Sequence, residues 1–331
     1  MTPSAPVLGA ERVEALLVAL RDLPVAIEHV RWDRHDVALP SYPDGPRPSS
    51  VVRLEAAGRI GTGEHVGWTG EAHDRFGTLL TAADLRDSRT LGRLSTRLRE
   101  SFPEPYDRAA VEAAAVALAL AQNDTGLDDL AGVAPSPLRY VISLDATRDP
   151  TTAMREERRA CATCEFKLDV DPRWTDEQLD RIAEVGGVAV LDFKGRGSAS
   201  EHARFARCFP GSLLEDALAV ETRASELRTR SSLDAPIKSA EDLRRLTALP
   251  AAVNVKPARM GGVLETIETV AVAREHGLAV YFGGMFEVSV ARRQSQSLAA
   301  VLSPDGPNDV APLHPPARPP RIVDFAGGFL R

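Results

Sequence analysis

The second half of the chain, from about Leu138 onward, alternates between short apolar runs and amphipathic stretches of helical periodicity. This alternation is typical of repeated βα units whose strands form a parallel sheet. Helices are predicted over 175–185, 200–207, 239–246 and 262–276. The predicted strands are, in order, LRYVISLD, CEFKLDV, VAVLD, SLLED, SSLDA, AVNVK, LAVYF and the stretch around NDVAP. Eight strands favour a closed (β/α) barrel over an open sheet.

The first part of the chain has a mixed pattern that predicts helices and antiparallel strands. An amphipathic helix is predicted over 11–23, since its apolar positions share one face. Strands are predicted over 25–32 and 50–56. The glycine-rich AAGRIGTGEH after the second strand predicts a hairpin turn, because it lacks the GxGxxG spacing of a phosphate-binding loop. A helix over 107–122 is apolar nearly all round, which predicts burial at an interface.

The composition is that of a globular protein of 331 residues, 44% hydrophobic and 26% charged, with a mean hydropathy of −0.16. A formal net charge of −7 argues against nucleic acid as a partner. No signal peptide or membrane span is indicated, so a cytoplasmic location is predicted. Three cysteines form no closed disulfide framework, and the pair Cys161 and Cys164 lacks the further ligands that a structural zinc site needs.

Lysine is scarce in this chain. Only Lys167, Lys194, Lys238 and Lys256 occur, and the other 36 of the 40 basic residues are arginine. We therefore expect the lysines that persist at predicted strand ends to be candidates for chemistry.

Charged residues end five consecutive apolar runs of the predicted barrel, at intervals of 19–23 residues, which is about one βα unit. They are Lys167 with Asp169, then Asp192, Glu215, Asp234 and Lys256. Barrel active sites lie at the carboxyl ends of the strands, so these side chains are expected to meet at one mouth. A single acid at a strand end more often caps a helix or pairs with an arginine, but five positions in register favour a site.

Three of these residues are carboxylates that would repel one another unless a cation neutralised them: Asp192, Glu215 and Asp234. Oxygen ligands without His or Cys favour Mg²⁺. A lysine near such an ion has its ammonium form disfavoured and is able to act as a base. Metal and lysine together predict removal of the proton next to a carboxylate, with the ion stabilising the enolate.

With these motifs the chain resembles the enolase superfamily, in particular the muconate cycloisomerase subgroup that includes o-succinylbenzoate synthases, N-acylamino acid racemases and dipeptide epimerases. The resemblance covers nearly the whole chain. It rests on VRWDRHDVALP and GTGEH in the first part, and on VAVLD, LLEDAL, SSLDAPIKSAEDL, VNVKPARMGG and FGGMFE in the barrel.

The resemblance implies an α/β fold, a (β/α)7β modified TIM barrel over 138–315 with an N-terminal α+β capping domain over 1–137. A C-terminal tail over 316–331 would return to the capping domain, with IVDF as a strand. The implied Mg²⁺ ligands are Asp192, Glu215 and Asp234, and the implied base is Lys256. Glu287, with Gly284 and Met285 beside it, would lie at the rim next to the substrate.

The second barrel strand departs from the pattern of these enzymes, which usually carry KxK there. Lys167 is present, but Asp169 stands in place of the second lysine, which is the other acid/base group. A racemase needs one base on each face of the substrate, so two-base racemisation is disfavoured. Synthase chemistry is disfavoured as well, because its base is the missing lysine.

The third strand departs two residues after the first implied ligand, Asp192, where these enzymes often have an amide and this chain has Lys194. Residues i and i+2 of a strand share a face, so Lys194 is expected beside Asp192. Three hypotheses follow. Lys194 replaces the missing lysine with Asp169 as its partner, or it forms a structural ion pair that abolishes metal binding, or it leaves the site in its loop.

Smaller departures concern the surroundings of the ligands. Ala235 replaces an acid after the third ligand and Ala217 replaces a proline after the second, which predicts weaker Mg²⁺ binding. His276 falls inside the helix before the seventh strand, so it is interpreted as a helix C-terminal residue and not as a base.

Together these features predict a Mg²⁺-dependent lyase or isomerase that abstracts the α-proton of a small-molecule carboxylate, by β-elimination or cycloisomerisation. Lys256 would be the base, and Lys167, Asp169 and Lys194 acid or electrostatic partners. The alternative is an enolase-like barrel that has lost catalysis and acts as a binding protein; an unrelated barrel enzyme is a third. Specificity is expected from loops around 38–47 and the GTGEH turn. No nucleic acid or membrane partner is expected, and a homo-oligomer is left open.

Overall fold

The computed structural model describes residues 7–39, 42, 45–86, 89–145, 150–217, 225–313 and 319–331. Among these residues, none of the helices has the length and apolar character needed to cross a membrane. Three sequence predictions fall outside the described residues: the barrel–tail boundary at 315–316, Leu218 of LLEDAL, and part of the 38–47 loop.

The first part of the chain forms a three-stranded antiparallel sheet with helices packed on it, in the order β1-β2-β3. The strands are β1 (His29–Val37), β2 (Arg47–Ala56) and β3 (Arg59–His65). The helices are α1 (Ala10–Asp22), α2 (Gly70–Ala82), α3 (Leu91–Ser101), α4 (Pro105–Gln122) and α5 (Leu127–Ala131). This arrangement is the capping domain implied by the resemblance.

The hairpin is confirmed, but its turn lies at Ala57 and Gly58, and the GTGEH segment is part of strand β3. The prediction of GTGEH as a turn is therefore wrong. Its glycines serve packing: a Cβ on Gly61 would lie 2.1 Å from the carbonyl oxygen of Ala114, and one on Gly63 equally close to that of Ala110. Those carbonyls belong to α4, so the glycines let this buried, alanine-rich helix lie directly on the strand.

The second part is a curled parallel sheet of seven strands that follow one another in chain order. They are β4 (Val141–Leu144), β5 (Glu165–Asp169), β6 (Val188–Asp192), β7 (Leu213–Glu215), β8 (Ser231–Leu233), β9 (Ala252–Val255) and β10 (Ala279–Phe282). The helices are α6 (Pro150–Ala160), α7 (Asp176–Val185), α8 (Ala199–Cys208), α9 (Ser225–Arg228), α10 (Ala240–Arg244), α11 (Pro257–Met260), α12 (Val263–Glu275) and α13 (Val290–Leu302).

The two edges of this sheet are joined by the segment predicted as an eighth strand. Asn308 bridges Tyr140 next to β4, and Asp309 bridges Gly283 next to β10, so the barrel is closed. The segment forms isolated bridges and not a full strand, so the strand predicted around NDVAP is shorter than expected. The seven strands predicted before it are confirmed, as is the barrel with its capping domain.

Two further predictions need correction. The first predicted strand, 25–32, lies too early, since β1 begins at His29. The IVDF segment does not form a strand with the capping sheet: Ile322 makes a single bridge with Leu138 at the start of the barrel. The contact of the tail with the capping domain is made further on, where Leu127 N–H donates to the carbonyl of Phe329.

Two buried carboxylates of the capping domain bind the N-termini of barrel helices. Glu64 on β3 accepts from the backbone N–H groups of Val288 (2.8 Å), Ser289 (3.0 Å) and Ala291 (3.1 Å), at the start of α13. Glu112 on α4 accepts from Leu264 N at 2.9 Å, at the start of α12. Unpaired N–H groups at a helix N-terminus favour negative charge, so these contacts fix the domain on the rim of the barrel.

Candidate active site

The acidic residues predicted at the strand ends lie side by side at the barrel mouth. Asp169 pairs in register with Asp192, and Asp192 with Glu215, on three neighbouring strands. Asp234 follows the end of β8. Carboxylate oxygens of Asp192, Glu215 and Asp234 all lie within 4.8 Å of one another, and all three residues are buried. The similar spacing of these acids along the chain therefore places Asp169, Asp192 and Glu215 at the same level of the barrel, with Asp234 close to them.

Lys167 lies between two of these carboxylates with only 3% of its side chain exposed. Its Nζ contacts Glu215 Oε1 and is 3.0 Å from Asp192 Oδ2. Burial alone would lower the pKa of this lysine, but the Glu215 and Asp192 carboxylates outweigh it and raise its pKa well above the usual value. The two carboxylates therefore favour the ammonium form of Lys167.

Glu215 is enclosed by polar side chains from β8, β9 and β10. The Tyr281 hydroxyl donates to Glu215 Oε2 and lies 2.9 Å from Ser232 Oγ, and Asn254 Nδ2 donates to the same carboxylate oxygen at 3.2 Å. Burial, reinforced by the Asp192 carboxylate, raises the pKa of Glu215 to about 8, although Lys167 acts in the opposite direction. Burial therefore works against the ionised form of Glu215, and further positive charge at this position would favour it.

Asp234 is held by two cations from the segment that follows β9. Lys256 Nζ lies 2.7 Å from Asp234 Oδ2, and Arg259 donates to Asp234 Oδ1 at 2.6 Å and to its carbonyl oxygen at 3.0 Å. Burial would favour the neutral acid, but Lys256, Lys167 and Arg259 outweigh it and lower the pKa of Asp234 to about 2. Asp234 is therefore a carboxylate under all ordinary conditions.

Lys194 points into the mouth and joins two acids. Its Nζ lies 2.5 Å from Asp192 Oδ2 and 3.1 Å from Asp169 Oδ1, while 45% of its side chain is exposed. The hypothesis that Lys194 leaves the site in its loop is therefore wrong. Burial would raise the pKa of Asp192, but Lys167 and Lys194 outweigh it and lower that pKa well below its usual value. Burial raises the pKa of Asp169, against the opposing effect of Lys194.

The loop after β10 carries the predicted substrate-binding residues. Gly284 donates its N–H to the carbonyl of Asp309 at 3.1 Å. Glu287 is 1% exposed, accepts from Met285 N at 2.8 Å, and lines a cavity of about 30 Å³ between the capping domain and the barrel. The guanidinium of Arg47, on β2, donates to the carbonyls of Met285 and Phe286, so the capping domain holds this loop.

Several residues of the site escaped the sequence analysis. Asp309 lies with Oδ2 3.9 Å from Lys167 Nζ, and Asp216 accepts from the N–H groups of Asp234 and Ala235, each at 2.9 Å. Tyr281 and Arg259 contact metal-ligand candidates directly. Asn254 was missed as well, although its position two residues before Lys256 was a signal, since residues two apart in extended backbone share a face. His276 caps the C-terminus of α12, as predicted.

The residues present fit a divalent cation. Three oxygen donors converge in a buried pocket without His or Cys, which is the donor set that Mg²⁺ prefers. Burial raises the pKa of Glu215 despite the nearby Lys167, and a bound cation would add positive charge that favours the ionised carboxylate. In the part of the chain that the structure describes, the buried Oδ1 atom of Asn254 has no hydrogen-bond partner, so the pocket also holds unused polar capacity.

Family models match both parts of the chain. Residues 134–314 match the model described as "Domain of unknown function (DUF8230) C-terminal domain", and residues 18–130 match that of the corresponding N-terminal domain. The boundary between the two matches falls where the capping domain meets the barrel.

Two curated relatives match parts of the sequence. An o-succinylbenzoate synthase of Bacillus subtilis (strain 168) is 34% identical over 87 residues, 26% of this chain and 24% of that protein. An N-succinylamino acid racemase of Amycolatopsis sp is 31% identical over 160 residues, 44% of this chain and 43% of that protein. The matches thus span less than half of the length of either relative.

Solved structures match over most of the chain. An unknown member of the enolase superfamily from Enterococcus faecalis V583 superposes with a TM-score of 0.72 at 20% identity, covering 86% of each chain. A dipeptide epimerase from Methylococcus capsulatus complexed with Mg ion gives 0.70 at 21% identity, covering 85% of this chain and 88% of the other. The chain therefore belongs to the DUF8230 family, and its capped barrel has the fold of the enolase superfamily.

Proposed function

We propose that this protein is a Mg²⁺-dependent lyase or isomerase that abstracts the α-proton of a small carboxylate substrate. The observation that carries the proposal is the convergence of three buried carboxylates, Asp192, Glu215 and Asp234, beside Lys256. The partial relatives named as a synthase and a racemase, and the similar epimerase complexed with Mg ion, support the same class of chemistry.

Asp192, Glu215 and Asp234 would hold the ion. When bound, Mg²⁺ would offset the negative charge that develops on the substrate's carboxylate as its α-proton leaves. Lys256 would take that proton as a neutral amine, so its ammonium group, which lies 2.7 Å from Asp234 in the structure, first has to give up its own proton. After the transfer Asp234 pairs with the ammonium group again. Lys167 keeps a permanent positive charge beside the carboxylates and serves as an electrostatic partner.

The second proton-handling position in this proposal is Lys194, with Asp169 as its partner. Lys194 follows β6 and Lys256 follows β9. Two strands, β7 and β8, separate β6 from β9 in one direction around the closed barrel, and β10, residues 308–309, β4 and β5 separate them in the other. The two lysines therefore belong to non-adjacent strands. A base and an acid at separate positions suit β-elimination or cycloisomerisation, in which Lys194 gives a proton to the leaving or rearranging group.

A second candidate function is that of a binding protein that has lost catalysis. The observation in its favour is that cations of the chain already contact each ligand candidate: Lys167 and Lys194 contact Asp192, Lys167 contacts Glu215, and Lys256 contacts Asp234. If these pairs are permanent, they fill the place of the ion.

Thermal melting with Mg²⁺ and with EDTA separates the two functions. An enzyme with a working triad melts higher with Mg²⁺, since an ion that binds only the folded state stabilises it. The Asp234→Asn variant should lose this shift. Equal melting temperatures of the wild type in Mg²⁺ and EDTA would favour the binding protein and contradict the metal-dependent enzyme. The chemical step itself requires a substrate and is tested by α-proton exchange with Lys256→Ala.

A further inference from the structure

We propose that the ammonium group of Lys194 competes with the divalent cation for Asp192, and that Asp169 accepts this ammonium when the cation binds. Lys194 and Asp169 would then set the metal affinity of the site, as positioning residues that act through Asp192. The inference rests on the proposed function, because it concerns the ion that the triad would hold.

Both carboxylate oxygens of Asp192 already have donors. The Oδ2 atom lies 2.5 Å from Lys194 Nζ and 3.0 Å from Lys167 Nζ, and the Oδ1 atom accepts from the backbone N–H of Lys194 at 3.0 Å. The carboxylate is buried, so the two ammonium groups lie close to any ion that it binds. A cation that coordinates Asp192 through Oδ2 has to displace one of them.

Lys167 is not the group that leaves. Its side chain is 3% exposed and contacts Glu215 as well as Asp192. Among the described residues, Asp309 at 3.9 Å is its one ion-pair partner outside the triad. Its removal from Asp192 would leave a buried charge less well paired.

Lys194 is able to leave because it has exposure and a second partner. Its side chain is 45% exposed, and Asp169 Oδ1 is already 3.1 Å from its Nζ. Its backbone has φ +51°, in the left-handed region, and Gly195 N donates to the carbonyl of Asp216 at 2.7 Å, so the turn is fixed. The movement therefore belongs to the side chain alone, from a position between two acids to a pair with Asp169.

In this exchange Asp169 is the partner that keeps the Lys194 ammonium group neutralised. As a carboxylate paired with Lys194 it neutralises an ammonium group that would otherwise repel the ion from close range. Without Asp169, Asp192 is the only acid that contacts Lys194 Nζ among the described residues. The two residues are therefore coupled. Removing Lys194 should raise the affinity of the site for the ion, and removing Asp169 should lower it. The effect of removing Asp169 should be large only when Lys194 is present.

A double-mutant cycle on the full chain tests this coupling. Mn²⁺ binding is measured by electron paramagnetic resonance of the free ion, and Mg²⁺ binding by calorimetry, in wild type, Lys194→Asn, Asp169→Asn and the double variant. Lys194→Asn should bind either ion about tenfold tighter, and Asp169→Asn about tenfold more weakly. In the Lys194→Asn background, Asp169→Asn should change the affinity by less than threefold. Lys238→Asn, which removes an exposed lysine elsewhere, should leave the affinity unchanged.

The outcomes distinguish this inference from the proposed function. If wild type and Lys194→Asn bind Mn²⁺ equally well, competition by Lys194 is overturned while the metal site stands. If the effect of Asp169→Asn is equally large with and without Lys194, its role as acceptor is overturned. If neither protein binds Mn²⁺ although both melt cooperatively, the metal site and the inference fall together. Lys194→Gln serves as a second variant should the asparagine variant fold poorly.

Discussion

One lysine separates two carboxylates that would otherwise repel each other at the barrel mouth. Lys167 contacts both Asp192 and Glu215, yet the pKa of Asp192 is lowered well below its usual value and that of Glu215 is raised to about 8. Burial is the largest cause at Glu215, whereas at Asp192 a second ammonium group, that of Lys194, helps to outweigh it. Additional positive charge would therefore favour the ionised form of Glu215.

Replacing Lys167 by Met tests this charge balance. The substitution leaves two buried acids without their shared cation, and the free energy of unfolding in EDTA should fall by about 3–5 kcal/mol. Saturating Mg²⁺ should recover part of the loss, because the ion supplies positive charge to the same carboxylates. Urea unfolding measures both values, with Lys238→Met as the exposed control. A loss below about 1 kcal/mol in EDTA would contradict the balance described here.

The sequence predicted the acids and lysines of the site because each closes an apolar run and the runs repeat at the length of one βα unit. It did not predict Tyr281, Arg259 or Asp309. Tyr281 lies inside an apolar strand and reads as core, and Arg259 is one of 36 arginines. The contacts of Tyr281 with Glu215 and of Asp309 with Lys167 join non-adjacent parts of the ring, and that of Arg259 with Asp234 joins two neighbouring parts. Spacing along the chain encodes none of these contacts.

At the scale of elements, the close packing of α4 on β3 depends on glycine. Gly63→Ala should lower the free energy of unfolding by roughly 1–3 kcal/mol, because the new Cβ would lie 2.1 Å from the Ala110 carbonyl oxygen and strand or helix must shift. Gly211→Ala is the matched control, since a Cβ there meets nothing within 4 Å. Urea unfolding compares the two variants, and equal stability of both would show that the helix is free to move.

The same contact explains why the sequence analysis placed a turn at GTGEH. Glycines at alternate positions resemble a turn when only local pattern is considered, and the reason for them is a helix some 50 residues further along the chain. The eighth barrel segment shows the reverse error. The pattern of NDVAP predicts a strand, but the segment pairs with the sheet through isolated bridges at Asn308 and Asp309. Period and composition predict which element forms, and tertiary contacts decide its length.

At the scale of the whole molecule, the capping domain makes stability depend on pH through two buried histidines. His65 Nε2 lies 2.8 Å from Asp107 Oδ1, and His73 lies between Ser50 Oγ at 2.7 Å and the Gly67 carbonyl at 3.1 Å. Burial lowers the pKa of His73 to about 4, and burial also lowers that of His65. The His73 imidazole is therefore neutral in the folded protein near pH 6.

Between pH 6.5 and about 4 the unfolded chain binds a proton at His73 and the folded chain does not. The free energy of unfolding should therefore fall as the pH is lowered through this range, by roughly 3 kcal/mol for His73, with His65 adding to the loss. The contribution is fully present above pH 6.5. Urea unfolding at pH 7 and pH 4.5 should show a smaller difference for His73→Gln than for the wild type. An unchanged difference would exclude His73 as the titrating group.

The attachment of the capping domain to the barrel also belongs to the scale of the whole molecule. Glu64, Glu112 and Arg47 attach the capping domain to α13, α12 and the loop after β10. The order of predicted elements indicated a capped barrel, but it did not indicate these individual contacts, which pair residues far apart in the sequence.

The most direct measurement of the central claim is α-proton exchange in deuterated solvent. N-acylamino acids, dipeptides and succinylbenzoate precursors are incubated with the protein and Mg²⁺, and deuterium uptake at the α-carbon is followed by NMR. The proposed chemistry predicts exchange with the wild type and with Lys238→Ala, none with Lys256→Ala, and none in EDTA. Exchange that persists at the wild-type rate in Lys256→Ala, or that is indifferent to EDTA, would contradict it.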